Sequence, residues 1–237
     1  SAHGRVGATP TWVLSNHDAT RQVTRLGRPY SGVRRRELDD GQPVDVELGT
    51  TRARAAILLT LALPGCTYLY QGEELGLPEV EDLPDASLRD PIWERSGHTI
   101  RGRDGCRVPL PWAGEAPPFE FGPEGSAPWL PQPAAWRLLT AEAEARDPAS
   151  MLSLYRAALR LRREHPGWAT DALRWLPSPD GALLFERGAG VRCAVNLAPR
   201  PVELPPERVT LLSSVDLDGD RLPPDAATWF EVARTAG

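Results

Sequence analysis

The chain has 237 residues, of which 41% are hydrophobic and 25% charged, a balance that excludes a disordered or fibrous protein. Its net charge of −5 argues against nucleic acid as a partner, because proteins that bind the phosphate backbone present a basic surface. No apolar run approaches the length that crosses a bilayer, and every basic residue is Arg, which excludes a Lys nucleophile or base.

The first predicted element is a short strand, Thr11–Ser15, that runs into Asn16, His17 and Asp18. A buried parallel strand is typically a short hydrophobic run, and polar groups at its carboxyl end lie where α/β proteins build active sites. A hydrolytic triad of Ser15, His17 and Asp18 is excluded, because adjacent residues on a strand point to opposite faces. The pattern by itself also fits a hydrogen-bonded core pair or a turn formed by the Asp side chain.

The next elements predict a βαβ unit. An Arg-rich polar stretch covers residues 21–45, after which Thr51 is a candidate cap for a buried helix that Pro64 and Gly65 end. The run "CTYLYQG" that follows, residues 66–72, is typical of a second short buried strand. A strand, a helix and a strand in this order predict two parallel strands of one sheet.

A long segment, residues 73–136, is rich in Pro, Gly and charge and has little periodicity. A loop of this length is either functional or disordered, and we favour a functional loop. It gathers side chains that suit a pocket for a polyhydroxylated ring with an apolar face, namely Arg95, Arg101, Arg103, Asp104, Arg107, Trp93, Trp112 and Trp129. The alternative is a solvated charged loop held by Pro and Trp.

The last third of the chain predicts one helix and then strands. Residues 150–168 predict an amphipathic helix that Pro166 and Gly167 end. Its apolar face comprises Met151, Leu154, Tyr155, Ala158 and Leu159. From Asp171 onward, short alternating runs separated by Gly and Pro turns predict a small antiparallel β domain.

Three segments resemble, in this order and spacing, the last part of bacterial α-glucosidases and oligo-1,6-glucosidases of glycoside hydrolase family 13, the α-amylase family: "LSNHD", "LPGCTYLYQGEELGLP" and "DPIWERSGHTIRGRDGCRVPLPW". The resemblance implies an α/β fold in which residues 1–168 are the C-terminal segment of a (β/α)8 TIM barrel. Thr11–Ser15 would be strand seven of that barrel and Thr67–Tyr70 strand eight. Residues 169–237 would be a small antiparallel all-β domain of sandwich type.

The resemblance also implies roles for six residues. Asp18 would be the third carboxylate, which holds the sugar hydroxyls and stabilises an oxocarbenium-like transition state. His17 would hydrogen-bond the same sugar, and Arg107 would bind the hydroxyl of the non-reducing end and make the enzyme exo-acting. The remaining three would support these groups from behind: Asn16, Glu73 and Asp104.

The two carboxylates that a retaining glycosidase uses as nucleophile and acid/base have no motif in this chain. The resemblance therefore implies a fragment of a retaining α-glucosidase that hydrolyses terminal α-glucosidic bonds of short oligosaccharides such as maltose or isomaltose. We expect the fragment alone to be inactive. Two alternatives stay open: a carbohydrate-binding homologue without catalysis, and a transglucosylase or isomerase such as trehalose synthase.

The implied partner is an α-glucoside oligosaccharide. No cofactor, metal, membrane, nucleic-acid or protein partner is implied, and the four histidines are too scattered to form a metal site. The three cysteines, Cys66, Cys106 and Cys193, show neither metal-binding spacing nor an even count for a disulfide framework. They indicate a reducing compartment, so we expect a cytoplasmic protein.

Overall fold

The computed structural model describes residues 8–29, 43–123, 125–188 and 190–232. The chain divides into two compact units. The strand unit comprises Ser1–Val13, Thr51–Tyr68 and Leu154–Gly237. The loop unit comprises Leu14–Thr50 and Leu69–Ser153, which are the segments that follow the first two strands in the chain. Of the predicted polar stretch at 21–45, residues 30–42 lie outside the described residues.

The elements alternate between short strands and helices before a run of antiparallel strands. The strands are β1 (Thr11–Val13), β2 (Cys66–Tyr68), β3 (Leu173–Trp175), β4 (Ala182–Arg187), β5 (Val191–Asn196), β6 (Val202–Glu203), β7 (Arg208–Ser213), β8 (Arg221–Leu222) and β9 (Ala226–Val232). The helices are α1 (Gln22–Leu26), α2 (Val46–Ala62), α3 (Pro91–Arg95), α4 (Ala141–Arg146) and α5 (Met151–Glu164).

The strand unit contains the predicted parallel pair. β1 pairs with β2 in parallel, with Thr11 opposite Cys66, and α2 connects them in the chain. The prediction of two parallel strands joined by a helix is therefore confirmed. β1 ends two residues before the predicted Ser15, and Arg25 donates a hydrogen bond to the carbonyl of the next residue, Leu14. β2 covers 66–68 and not 67–70.

Helix α2 begins at Val46, five residues before the predicted cap at Thr51. The side chain of Asp45 accepts a hydrogen bond from the backbone N–H of Leu48 at 2.9 Å, which satisfies a free donor of the first turn. Asp45 is thus the cap, and the prediction of Thr51 was wrong. The end of the helix at Pro64 and Gly65 is as predicted, with Gly65 at a φ of +105°.

The C-terminal part of the strand unit is an antiparallel sheet, as predicted. Five strands lie in the order β3-β4-β5-β9-β7, and β6 and β8 form a separate antiparallel pair. Its core includes Leu204, Leu222 and Phe230, all nearly fully buried. Trp229 on β9 donates its indole N–H to the carbonyl of Leu58 at 3.1 Å, which ties the sheet to α2.

Helix α5 follows the prediction except at one residue of its apolar face. Met151, Leu154, Tyr155 and Ala158 are buried, but Leu159 is 42% exposed. Leu159 therefore marks the edge of that face. At the start of the helix, Leu152 is 8% exposed because it packs into the core of the loop unit.

The described residues of the long segment at 73–136 contribute most of a separate hydrophobic core. Buried residues of this cluster are Leu75, Leu77, Val80, Leu83, Leu88, Val108, Leu110, Phe119, Leu130, Trp136 and Leu152. Short turns of 3-10 helix at Asp85–Ser87, Asp104–Cys106 and Ala134–Leu138 follow the chain around it. None of the described helices combines the length and the apolar character that crossing a membrane requires.

Candidate active site

Arg21 joins the two segments that make up the loop unit. Its guanidinium donates to the carbonyls of Gln71 and Cys106, each at 2.9 Å, and its backbone N–H donates to a carboxylate oxygen of Glu79 at 2.9 Å. The residue is 2% exposed. The segment after β1 is thereby fixed to the segment after β2. Sequence reasoning missed Arg21, because nothing in a polar stretch marks one arginine as buried.

Asp18 lies at the centre of a cluster of charged side chains. Its Oδ1 accepts hydrogen bonds from Arg103 Nη1 at 2.7 Å and from Arg107 Nη2 at 3.1 Å, while its Oδ2 lies 3.4 Å from His17 Nε2. Arg107 also donates through Nε to the backbone carbonyl of His17 at 2.9 Å. The structure therefore brings together Asp18, His17 and Arg107, the three residues for which the family resemblance implied direct sugar contact.

The electrostatics of this cluster keep Asp18 ionised. Partial burial opposes ionisation, but the hydrogen bond from Arg103 and the positive charges around the carboxyl outweigh it and hold the pKa of Asp18 below its ordinary value. The carboxylate is also about half exposed, so a ligand can reach it. An anionic group at a solvent-accessible position can accept hydrogen bonds from hydroxyls or face a developing positive charge.

Asn16 shapes the turn that presents Asp18. Its side-chain oxygen accepts a hydrogen bond from the backbone N–H of Asp18 at 2.8 Å, and its carbonyl accepts one from Ala19 at 3.3 Å. Such Asx turns fix the direction in which the next side chains point. The side chain of Asn16 thus contacts the backbone of Asp18, and the supporting role suggested for Asn16 stays a prediction.

Asp104 is joined to the cluster through Asp90. It is 1% exposed, and its Oδ2 accepts hydrogen bonds from the backbone N–H groups of Arg89 at 2.5 Å and Asp90 at 2.8 Å. No described hydrogen bond joins it to Asp18 or His17. Its partner Asp90 is 2% exposed and pairs with Arg103, whose hydrogen bond holds the pKa of the Asp90 carboxyl well below its ordinary range. Sequence reasoning did not single out Asp90.

Glu73 lies apart from this cluster. It is 3% exposed, and burial raises the pKa of its carboxyl to about 7. No described hydrogen bond or ion pair joins it to Asp18. The supporting role suggested for Glu73 stays a prediction.

A cavity of about 350 Å³ opens beside Asp18. Its lining combines carboxylate and guanidinium groups with apolar side chains, and includes Asp18, Asp90, Arg95, Arg103, Ile92 and Ile100. None of the three tryptophans considered from the sequence is among the described residues that line it. Trp93 stacks on His98 at 4.8 Å, and Trp112 and Trp129 are about half exposed.

Comparison with known proteins gives the family. The family model described as the alpha amylase catalytic domain matches residues 5–171, and a model described as a domain of unknown function (DUF3459) matches residues 172–229. A probable alpha-glucosidase of Rhizobium meliloti (strain 1021) is 32% identical over 203 residues, which are 84% of this chain and 33% of that protein. The oligo-1,6-glucosidase IMA3 of Saccharomyces cerevisiae is 29% identical over 184 residues, which are 68% of this chain and 29% of that protein.

The solved structures agree with the fold. The crystal structure of an alpha-glucosyl transfer enzyme, XgtA, is similar with a TM-score of 0.72 and 30% identity, over 98% of this chain and 43% of that one. The chain thus spans about a third of the length of the curated relatives it matches. The sequence-based fold, part of a TIM barrel followed by an antiparallel β domain, is confirmed. The chain belongs to the α-amylase family of glycoside hydrolases.

Proposed function

We propose that this chain is the C-terminal part of a retaining, exo-acting α-glucosidase, in which Asp18 is the third carboxylate of the active site. The observation that carries the proposal is the accessible, ionised Asp18, held by two arginines beside a cavity. The substrates would be short oligosaccharides with terminal α-glucosidic bonds, of the maltose or isomaltose type. The similarity to glucosidases named above supports this substrate class.

The chemistry of glycoside hydrolysis explains the need for such a carboxylate. As the glycosidic bond breaks, positive charge develops at the anomeric centre and the ring flattens towards an oxocarbenium ion. A fixed negative charge stabilises this transition state more than the neutral substrate, and so lowers the barrier. Asp18 would also accept hydrogen bonds from the ring hydroxyls and hold the distorted ring in place.

His17 and Arg107 would complete the contacts to the same sugar. His17 lies within 3.4 Å of Asp18 and is mostly exposed, so its ring can donate to a hydroxyl that also touches Asp18. Arg107 would bind the hydroxyl of the non-reducing end, and a side chain in that position limits the enzyme to terminal residues. Its guanidinium is already oriented by the bonds to His17 and Asp18.

The nucleophile and the acid/base would be supplied by segments of the protein outside this chain. We therefore expect the 237-residue chain alone not to release glucose from maltose. The coding DNA upstream of Ser1 tests this directly. An open frame that encodes a barrel with an Asp nucleophile and a Glu acid/base supports the proposal, and a start codon just before Ser1 contradicts it.

We also propose that residues 1–168 belong to the catalytic barrel and residues 169–237 to a separate C-terminal domain. The two family models, which meet between residues 171 and 172, support a boundary close to this position.

Transfer of glucose to another acceptor is the second candidate function. It is favoured by the similarity to an enzyme described as an alpha-glucosyl transfer enzyme. Chromatography of the products formed by the full-length protein from maltose separates the two. Glucose alone indicates hydrolysis, and new di- or trisaccharides indicate transfer. Binding of maltose without any product would favour a non-catalytic sugar-binding homologue.

A further inference from the structure

Asp90 is a buried carboxylate that contacts both arginines of the Asp18 cluster. Its side chain is 1% exposed, and its Oδ2 accepts from Arg103 Nε at 2.5 Å and lies 3.7 Å from Arg107 Nη1. Its Oδ1 accepts from Arg103 Nη2 at 3.2 Å. Arg103 therefore binds Asp90 through two hydrogen bonds, the bidentate geometry in which Arg–carboxylate pairs are strongest.

Each arginine bridges the same two carboxylates. Arg103 uses Nε and Nη2 on Asp90 and Nη1 on Asp18, and Arg107 has Nη1 near Asp90 and Nη2 on Asp18. Both arginines reach the same oxygen of Asp18, Oδ1. Its other oxygen has, among the described residues, only the contact with His17. The two bridges therefore hold Asp18 in one rotamer and leave Oδ2 as the oxygen with spare acceptor capacity.

Asp90 is itself rigidly held. It caps helix α3 by accepting from the backbone N–H of Ile92 at 3.1 Å, and its own N–H donates to Asp104 Oδ2 at 2.8 Å. A Cβ at Gly102 would lie 2.7 Å from the Cβ of Asp90, so the chain packs directly against this side chain. Gly102 also has a φ of +77°, a conformation that glycine adopts without strain.

The difference in burial decides which carboxylate orders the arginines. Asp18 is about half exposed, and exposed ion pairs are weak because water screens them and the side chains lose rotamer freedom. Asp90 is buried, fixed by three further hydrogen bonds and bidentate. Arg103 is thus anchored on Asp90 and reaches outward to Asp18, whereas Arg107 is held mainly by the carbonyl of His17.

We propose that Asp90 is a positioning residue of the active site, which sets the orientation of Asp18 through Arg103. This inference rests on the proposed function, because the consequence of misplacing Asp18 is a loss of turnover. Asp90 does not touch the sugar in this account. Its loss would let the guanidinium of Arg103 rotate, and Asp18 would lose the shorter of its two hydrogen bonds.

The test uses kcat/KM of the full-length protein for para-nitrophenyl α-glucoside. We expect Asp90→Asn to lower it about 10- to 100-fold, the cost of a small misplacement of a reacting group. The matched control is Asp85→Asn, which breaks an exposed pair with Arg101 in the same segment and should leave kcat/KM unchanged. Arg103→Lys keeps the positive charge but cannot bridge two carboxylates, and we expect a similar loss. Arg103 is 39% exposed, so this variant keeps the experiment informative if Asp90→Asn fails to fold.

A double variant distinguishes positioning from a merely structural role. If Asp90 acts through Arg103, adding Asp90→Asn to Arg103→Ala should cause no further loss. The double variant should therefore have the same kcat/KM as Arg103→Ala alone. Losses that multiply, or wild-type kcat/KM in Asp90→Asn and Arg103→Lys, would overturn the inference. A wild-type protein without any turnover would instead overturn the proposed function, so the two failures are distinguishable.

Discussion

At the scale of single residues, the proposed site consists of an exposed carboxylate that the neighbouring positive charges keep ionised. Asp18 has Arg103, Arg107 and His17 within hydrogen-bond or ion-pair distance, and these lower its pKa. A charge that is fixed before the reaction costs no reorganisation when the transition state forms. The removal of this charge is therefore the most informative single change.

We expect Asp18→Asn to lower kcat about 100- to 1,000-fold, the usual cost of losing one electrostatic stabiliser. The side chain is half exposed, so the melting temperature should stay close to that of the wild type. Steady-state kinetics and thermal unfolding of the full-length protein measure the two quantities. Asp82→Asn, an exposed carboxylate of the same unit, is the control and should keep full activity. A fully active Asp18→Asn variant would refute the assigned role.

Glu73 should make stability depend on pH. The pKa of its carboxyl is about 7 in the folded protein and 4.5 in the unfolded chain, so the folded state disfavours the ionised form. Stability is thus full below pH 4.5 and falls as the pH rises to about 7, by about 3 kcal/mol in total.

Glu73→Gln removes this loss, because a neutral amide has no charge to bury. We expect the variant to be more stable than the wild type at pH 8 and equally stable at pH 4.5, as measured by urea unfolding at both pH values. Glu115→Gln, at an exposed position, should leave the wild-type pH dependence intact. A Glu73→Gln variant that destabilises the protein equally at both pH values would show that this carboxyl acts as a hydrogen-bond acceptor.

The sequence was sufficient for residues that a motif marks and insufficient for those defined by distant partners. Asn16, His17 and Asp18 follow a recognisable strand, and Arg107 falls in a distinctive segment. Asp90 carries only a local signal, an N-cap before Pro91 at the first helical position. Its pairing with Arg103, 13 residues later, depends on how the loop packs, which no local pattern encodes.

At the scale of elements, close contacts between backbones constrain helix α2. A Cβ at Gly49 would lie 2.1 Å from the carbonyl oxygen of Val23 in α1, an impossible distance. In an isolated helix, replacing Gly by Ala stabilises the helix by about 1 kcal/mol. We expect Gly49→Ala to destabilise the protein instead, because the backbone of α1 must move to admit the methyl group.

Urea unfolding of Gly49→Ala checks this sign. The control is Thr50→Ala on the same helix, where the side chain bonds only within its own turn and the change should stay within about 0.5 kcal/mol. A stabilised Gly49→Ala variant would mean that α1 and α2 do not pack as closely as described.

Arg187 on β4 ties together the end of α2 and the chain before β3. It is 3% exposed and donates to the carbonyls of Ala62 at 2.6 Å, Thr170 at 2.6 Å and Ala172 at 3.0 Å. We expect Arg187→Met to lower the free energy of unfolding by about 3 kcal/mol, because three carbonyl groups lose their donor.

The comparison for this change is Arg174→Met, which removes an exposed arginine paired with Glu186 and should cost less than about 1 kcal/mol. The midpoints of urea unfolding of the two variants measure the difference. An equal loss of free energy of unfolding in the two variants would contradict the hydrogen bonds described for Arg187.

Elements with strong periodicity or clear end signals were predictable, and those shaped by packing were not. The end of α2 at Pro64 was found, but its start was placed at Thr51 because the side chain of Asp45 was not considered as a cap. The segment at 73–136 offered no periodicity, yet it folds around buried residues such as Phe119 and Trp136. Their burial depends on contacts far apart in the chain.

At the scale of the whole molecule, the chain carries part of a family fold. The two units separate the strands and the antiparallel sheet from the segments that hold the charged cluster. This separation is typical of barrel enzymes, in which strands and helices give stability and the connecting loops carry the chemistry. The fold class could be recognised from three short segments because they combine strand ends with the polar residues that follow them.

The retaining mechanism and the role of Asp18 are tested together by the time course of glucose release from para-nitrophenyl α-glucoside by the full-length protein, followed by proton NMR, because all the glucose then comes from the cleaved anomeric centre. A retaining enzyme releases α-glucose first, and the β-anomer then appears by mutarotation. We expect this order in the wild type and its loss in Asp18→Asn. No glucose release, initial release of β-glucose, or a wild-type rate in the variant would contradict the account.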